Sequence, residues 1–66
     1  MRNRINEVRQ DRNLSQAALA KAVKVSRQSM NAIENDRHDP SVSLAFAIAR
    51  VLETPITELF LEEDDK

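Results

Sequence analysis

Apolar residues recur along this chain at helical spacings, and no stretch alternates in the manner of a convincing strand. Ile5 and Val8 mark a first helix over about residues 3–12, closed by Asn13, a residue that tolerates a left-handed backbone. Ser15 caps a second helix, which "QAALAKAV" carries on Ala and Leu, both strong helix formers. After a short break at Lys24 and Val25, Ser26 caps a third helix that runs to about Asn35, with Met30 and Ile33 on one apolar face. "NDRHDP" reads as a loop, since Pro40 restricts the residue before it. Ser41 begins a fourth helix, whose apolar stripe is Leu44, Ile48, Val51 and Leu52. Thr54 as N-cap, with Pro55 at the first helical position, predicts a short last helix over "TPITELF".

The predicted fold is thus all-α, a compact bundle of five short helices. Two of them, at 15–23 and 26–35, are joined by a turn of about three residues and form the helix-turn-helix supersecondary motif. The 66 residues suffice for one core, and no sensor domain is expected beside it. One domain is expected over residues 1–61, followed by an acidic tail at 62–66 that frays.

Composition removes several classes of function. The chain has no cysteine, so disulfides and thiolate metal sites are excluded. No apolar run approaches the roughly 20 residues that span a bilayer, and the expectation is a cytoplasmic protein with no membrane partner. One histidine, no glycine-rich phosphate loop and no spaced carboxylate pair leave little for catalysis, so neither an enzyme nor a cofactor is expected. His38 and Asp39 are adjacent loop residues without further ligands and read as a surface turn, so no metal is expected.

Charge changes the picture further. The net charge of −1 argues against binding a polyanion, but its distribution does not. Residues 1–37 carry eight basic side chains against four acidic, whereas residues 38–66 carry two against seven. Such asymmetry hints at one polyanion-binding face. The third helix adds a second hint. Ser26 alone would cap it, yet Arg27, Gln28 and Ser29 crowd its first turn with hydrogen-bonding groups, and Asn31 extends the same face. Arg can grip guanine and Gln adenine, each with two hydrogen bonds in the major groove.

The stretches "LSQAALAKAVKVSRQSMNAIEN" and "DPSVSLAFAIARVLETPITELF" carry a specific likeness. Over residues 5–60 the chain resembles the Cro and phage-repressor (XRE-type) helix-turn-helix family, especially its short stand-alone transcriptional regulators. Gln16, Leu19-Ala20, Val25-Ser26 and Ile33-Glu34-Asn35 stand where that family places them. The resemblance implies a lambda-repressor-like bundle that binds double-stranded DNA with its third helix in the major groove. Ala20 would then lie where the second and third helices cross, with Leu19, Val23, Val25, Met30 and Ile33 facing inward. Arg27, Gln28 and Asn31 become base readers, and Ser29 is shared between a base edge and a phosphate. Phosphate contacts are expected from Gln16, Ser26, Asn35 and Arg37, with Lys24 and Arg12 as weaker candidates. The family also pairs an Arg late in the first helix with the Glu after the third-helix Ile, here Arg9 with Glu34, in a partly buried salt bridge.

Relatives bind (pseudo)palindromic operators as homodimers, because one reading helix covers too few base pairs. The surface expected for pairing lies opposite the third helix, at Leu52, Ile56, Leu59, Phe60 and Leu61. A brief strand pairing of residues 2–4 with 60–62 occurs in similar small regulators. The family places glycine at helix ends and in the central turn, whereas this chain has none and puts Asn13, Lys24, Asp36 and Glu53 there. The expected function is a homodimeric transcriptional regulator, a repressor by preference. Two alternatives stand beside it: an antitoxin of the same fold, with a protein partner, and a protein-interaction bundle that ignores DNA.

Overall fold

Three serines set where three of the helices begin. Ser15, Ser26 and Ser41 each sit in extended backbone with the hydroxyl accepting from the N–H three residues on, at 3.0 Å from Ala18, 2.9 Å from Ser29 and 3.1 Å from Leu44. The computed structural model describes residues 2–61, so the acidic segment expected as a tail at 62–66 lies outside them. The elements run β1 (Arg2–Asn3), α1 (Ile5–Asp11), α2 (Gln16–Ala22), α3 (Arg27–Glu34), α4 (Val42–Leu52), α5 (Ile56–Leu59) and β2 (Phe60–Leu61). β1 and β2 are antiparallel, pairing Arg2 with Leu61 and Asn3 with Phe60, and the Arg4 N–H extends the ladder to the Leu59 carbonyl at 2.8 Å. The fold is therefore the expected five-helix bundle with the small terminal strand pairing added.

Helix ends repeat one device four times. Asn13, Lys24, Asp36 and Glu53 have φ of 57°, 65°, 62° and 53°, the left-handed conformation at each of the four positions where the family would place glycine. The residue after each donates its N–H back five residues: Leu14 to Arg9, Val25 to Ala20, Arg37 to Ala32 and Thr54 to Ala49, at 3.0, 3.0, 2.9 and 3.1 Å. This is the Schellman turn, which satisfies carbonyls that a helix end otherwise leaves open. Asn and Asp adopt it readily, but Lys and Glu each cost about 1 kcal/mol there. Lys24→Gly is accordingly expected to raise the melting temperature by about 4–8 °C while slightly weakening DNA binding through lost charge. Thermal unfolding followed by circular dichroism checks it; a lower melting temperature would contradict the turn geometry.

The fifth helix begins one residue later than its sequence suggests. Pro55, with ψ of 140°, is itself the N-cap, and Ile56 is the first helical residue. Thr54 is occupied by the turn that ends α4, and its hydroxyl donates to the Leu52 carbonyl at 2.9 Å instead of capping α5.

Ile5, Leu19, Met30, Ile33, Ile48, Leu52 and Leu59 are completely or almost completely buried in one cluster. Each such side chain contributes about 1.5–3 kcal/mol relative to exposure. Ala20 is buried with them, and Val23 and Val25 pack partly buried against the cluster, which fixes α2 against α3. A side chain larger than Ala20 would overpack this contact. α4 turns Ala45, Ile48, Ala49 and Leu52 inward. The edges of that buried face are apolar too: Val42 and Phe46 are 72% and 52% exposed on one edge, and Val51, expected in the buried stripe, is exposed on the other. Val42 and Phe46 border a shallow apolar groove with Pro40, Ala45, Ile56 and Phe60.

Candidate nucleic-acid interface

The site is built on a buried carboxylate. Glu34, in the last turn of α3, accepts from Arg9 Nε at Oε2 (3.0 Å) and from three donors at Oε1, namely Arg9 Nη2, Asn6 Nδ2 and Gln16 Nε2, each at 3.2 Å. Arg9 Nη1 donates to the Leu14 carbonyl at 2.8 Å. The two charged side chains are only 10% and 3% exposed, so their charges cancel inside the protein. Four hydrogen bonds lock α1, α2 and α3 together at one point. Gln16, at the start of α2, is thereby held by one amide proton while its second remains available to an outside acceptor.

On this platform the start of α3 stands exposed. Arg27, Gln28, Ser29 and Asn31 are all exposed, while Met30 and Ile33 anchor the opposite side of the same helix. The side chains of Arg27, Gln28 and Asn31 make no hydrogen bond or ion pair among the described residues. Ser26 Oγ donates to Ser29 Oγ at 3.0 Å while accepting the Ser29 N–H. That arrangement commits the Ser26 proton to the cap and leaves the Ser29 hydroxyl proton free.

The remaining predicted residues divide. Lys24 and Arg37 are exposed in the turns on either side of α3. Asn35 is exposed beyond its end, with one amide proton given to the Asn31 carbonyl at 2.8 Å. Arg12 is directed elsewhere: its Nη2 reaches the Glu53 carbonyl at 3.3 Å and Thr54 Oγ1 at 3.4 Å, at the α4–α5 junction. Arg4 and Glu7 pair on the exposed side of α1 at 3.2 Å, and this hydrogen bond holds the Glu7 carboxyl below its ordinary range.

The expected pairing surface needs correction. Leu52 and Leu59 are 0% exposed, inside their own core, and have no surface to offer a second subunit. Ile56, Phe60 and Leu61 remain partly exposed. Sequence reading missed Val42 and Phe46, which complete the apolar surface beside Ile56 and Phe60. It also missed Asn6, although its place three residues before Arg9 puts both on one side of α1.

The sequence is similar to known proteins along most of its length. Residues 5–59 match the helix-turn-helix family. An uncharacterized HTH-type transcriptional regulator of Methanocaldococcus jannaschii is 44% identical over 66 residues, covering 100% of both chains. Another, from Archaeoglobus fulgidus, is 38% identical over 66 residues, covering 100% of this chain and 93% of its own. The immunity repressor protein of Bacillus phage phi105 is 37% identical over 60 residues, which span 91% of this chain and 42% of the phage protein. With its motif on α2 and α3, the chain belongs to the XRE-type helix-turn-helix family and is a transcriptional regulator with a DNA-binding domain of lambda-repressor-like fold.

Proposed function

We propose that this protein is a homodimeric repressor that reads a (pseudo)palindromic operator with α3 in the major groove. The observation that carries the reading is the state of Arg27 and Gln28: exposed, without side-chain partners among the described residues, on a helix whose other side is fully anchored. The anchored backbone of α3 has little further freedom to lose on binding, and the unpartnered Arg27 and Gln28 groups break no internal hydrogen bond when they meet DNA, which favours a defined contact over a solvated surface. In this reading Arg27, Gln28 and Asn31 take base edges, and Ser29 divides its free proton between a base and a phosphate. Gln16, Lys24, Asn35 and Arg37 hold phosphates around them, and Ser26 contributes as the cap that fixes the first turn. The name of the phage relative, an immunity repressor, favours repression as the mode.

Dimerisation follows from a shortage of contacts. One helix reads only a few base pairs, and discrimination against a genome needs two half-sites about 34 Å apart. A second copy seated on the groove at Val42, Phe46, Ile56 and Phe60, with Leu61 beside it, would cover the apolar surface that each subunit leaves open.

Two substitutions separate the assigned roles. Arg27→Ala is expected to relax preference at one base pair per half-site by about 1–3 kcal/mol, and Gln16→Ala to weaken binding to all sequences more evenly. Binding titrations against a panel of single-base operator variants measure both. Identical profiles for the two mutants would overturn the division between base and phosphate contacts.

A further inference from the structure

Asn3 lies in β1, outside the DNA-facing set, yet its side chain reaches the end of the reading helix. Its Nδ2 donates to the Ile33 carbonyl at 2.8 Å and to Asp36 Oδ1 at 3.2 Å, while its Oδ1 accepts the Ile5 N–H at 3.0 Å. The Ile33 carbonyl is one of those left open by the end of α3; the Asp36 N–H fills one lone pair at 3.1 Å and Asn3 the other. The Oδ1 contact serves α1 in turn, because Arg4 provides no side-chain cap there. The backbone of the same residue pairs with Phe60, which lines the apolar groove. One amide therefore joins the last turn of α3, the first turn of α1 and the strand pair beside the groove.

We propose that Asn3 is a positioning residue for sequence recognition, fixing the angle at which α3 presents Arg27 and Gln28 relative to the second subunit. The inference rests on the reading of α3 as the major-groove helix and of the groove as the subunit contact. Two neighbouring residues of α3 are tied at this end: Glu34 to Asn6 and Arg9 of α1 and to Gln16 of α2, and Ile33 to Asn3 of β1. The Glu34 bonds meet at one carboxylate, and the Asn3 bond adds a second point one residue away that resists rotation about the first. A pivot near Ile33 would move the first turn of α3, and base contacts tolerate such displacement poorly while phosphate contacts adapt to it.

The test uses the full chain and two probes: a duplex that wild-type protein selects from a randomised pool, and a scrambled duplex of the same length. Asn3→Asp keeps an acceptor for the Ile5 N–H but replaces the donor with a carboxylate facing the Ile33 carbonyl and Asp36. The ratio of selected to scrambled affinity is expected to fall about tenfold. Asp36→Asn alone should hold the ratio within about twofold of wild type, since its amide oxygen still accepts from Asn3. Combining both substitutions restores the charge of the chain and lets Asn at 36 donate to Asp at 3, so the ratio should recover in part. Loss of stability alone lowers both affinities together and leaves the ratio unchanged. A folded Asn3→Asp protein with the wild-type ratio, or a double variant no better than Asn3→Asp, overturns the inference and spares the DNA-reading assignment. A wild-type protein that selects no sequence overturns both.

Discussion

Replacing Glu34 with Ala is expected to destabilise the protein by about 3–5 kcal/mol, because it strands the buried Arg9 guanidinium without its counter-charge. A domain of 66 residues has only roughly 3–10 kcal/mol in hand, so the variant should lie near its unfolding midpoint at room temperature. The size follows from burial. An exposed ion pair contributes about 0.2–1 kcal/mol, but here both side chains are nearly withdrawn from water and every Arg9 nitrogen has an acceptor. Replacing both partners, as Arg9→Met with Glu34→Leu, should recover much of the loss, leaving about 1 kcal/mol for the Leu14 carbonyl that loses its donor. The double variant would nevertheless bind DNA poorly, since Gln16 is tethered through Glu34. Urea unfolding beside DNA titration checks the pattern. A single-mutant cost within the exposed-pair range would contradict the burial of the pair.

Phe46→Asp is expected to leave folding almost untouched and to prevent the proposed pairing of subunits. Phe46 is 52% exposed and stands at the rim of the groove, so the substitution removes little from the core of the subunit. In the partnered state the same side chain would be covered, and a carboxylate there would be buried without a counter-charge. Separate subunits lose the linked second half-site, a loss of about 10²–10⁴ in operator affinity without any DNA contact being altered. Sedimentation at micromolar concentration and operator titration should show the two losses together. A Phe46→Asp protein that stays dimeric and keeps its affinity would place the subunit contact elsewhere.

What could be read from the sequence was local. Ser15, Ser26 and Ser41 announce their helices because a cap needs a side-chain oxygen at one fixed position, and the structure places each hydroxyl on the N–H three residues on. Of the four left-handed residues, Asn13 was legible by its own type, whereas Lys24 and Glu53 were recognisable through the family pattern alone, since they carry no signal of their own for that conformation. Thr54 misled because two demands met on one residue: the turn that closes α4 claimed its N–H, and the next cap passed to Pro55. Leu52 was assigned to a partner because α4 is apolar on more than one side, and Leu59 because it stands among Ile56, Phe60 and Leu61; periodicity does not tell which apolar residues their own chain covers. Asn3 and Arg12 were beyond local reading altogether. Their partners lie 30 to 42 residues away in sequence, brought close only by the fold.

Whether residues 26 to 31 enter a duplex is read from an NMR titration with selected DNA at low ionic strength. The backbone amides of Arg27, Gln28, Ser29 and Asn31 should show the largest shifts or broadening, with Gln16 and Arg37 next. Amides of the groove, from Val42 to Phe46 and at Phe60, should change least. A map with its maximum on the groove, or a spectrum that no duplex alters, would contradict the account.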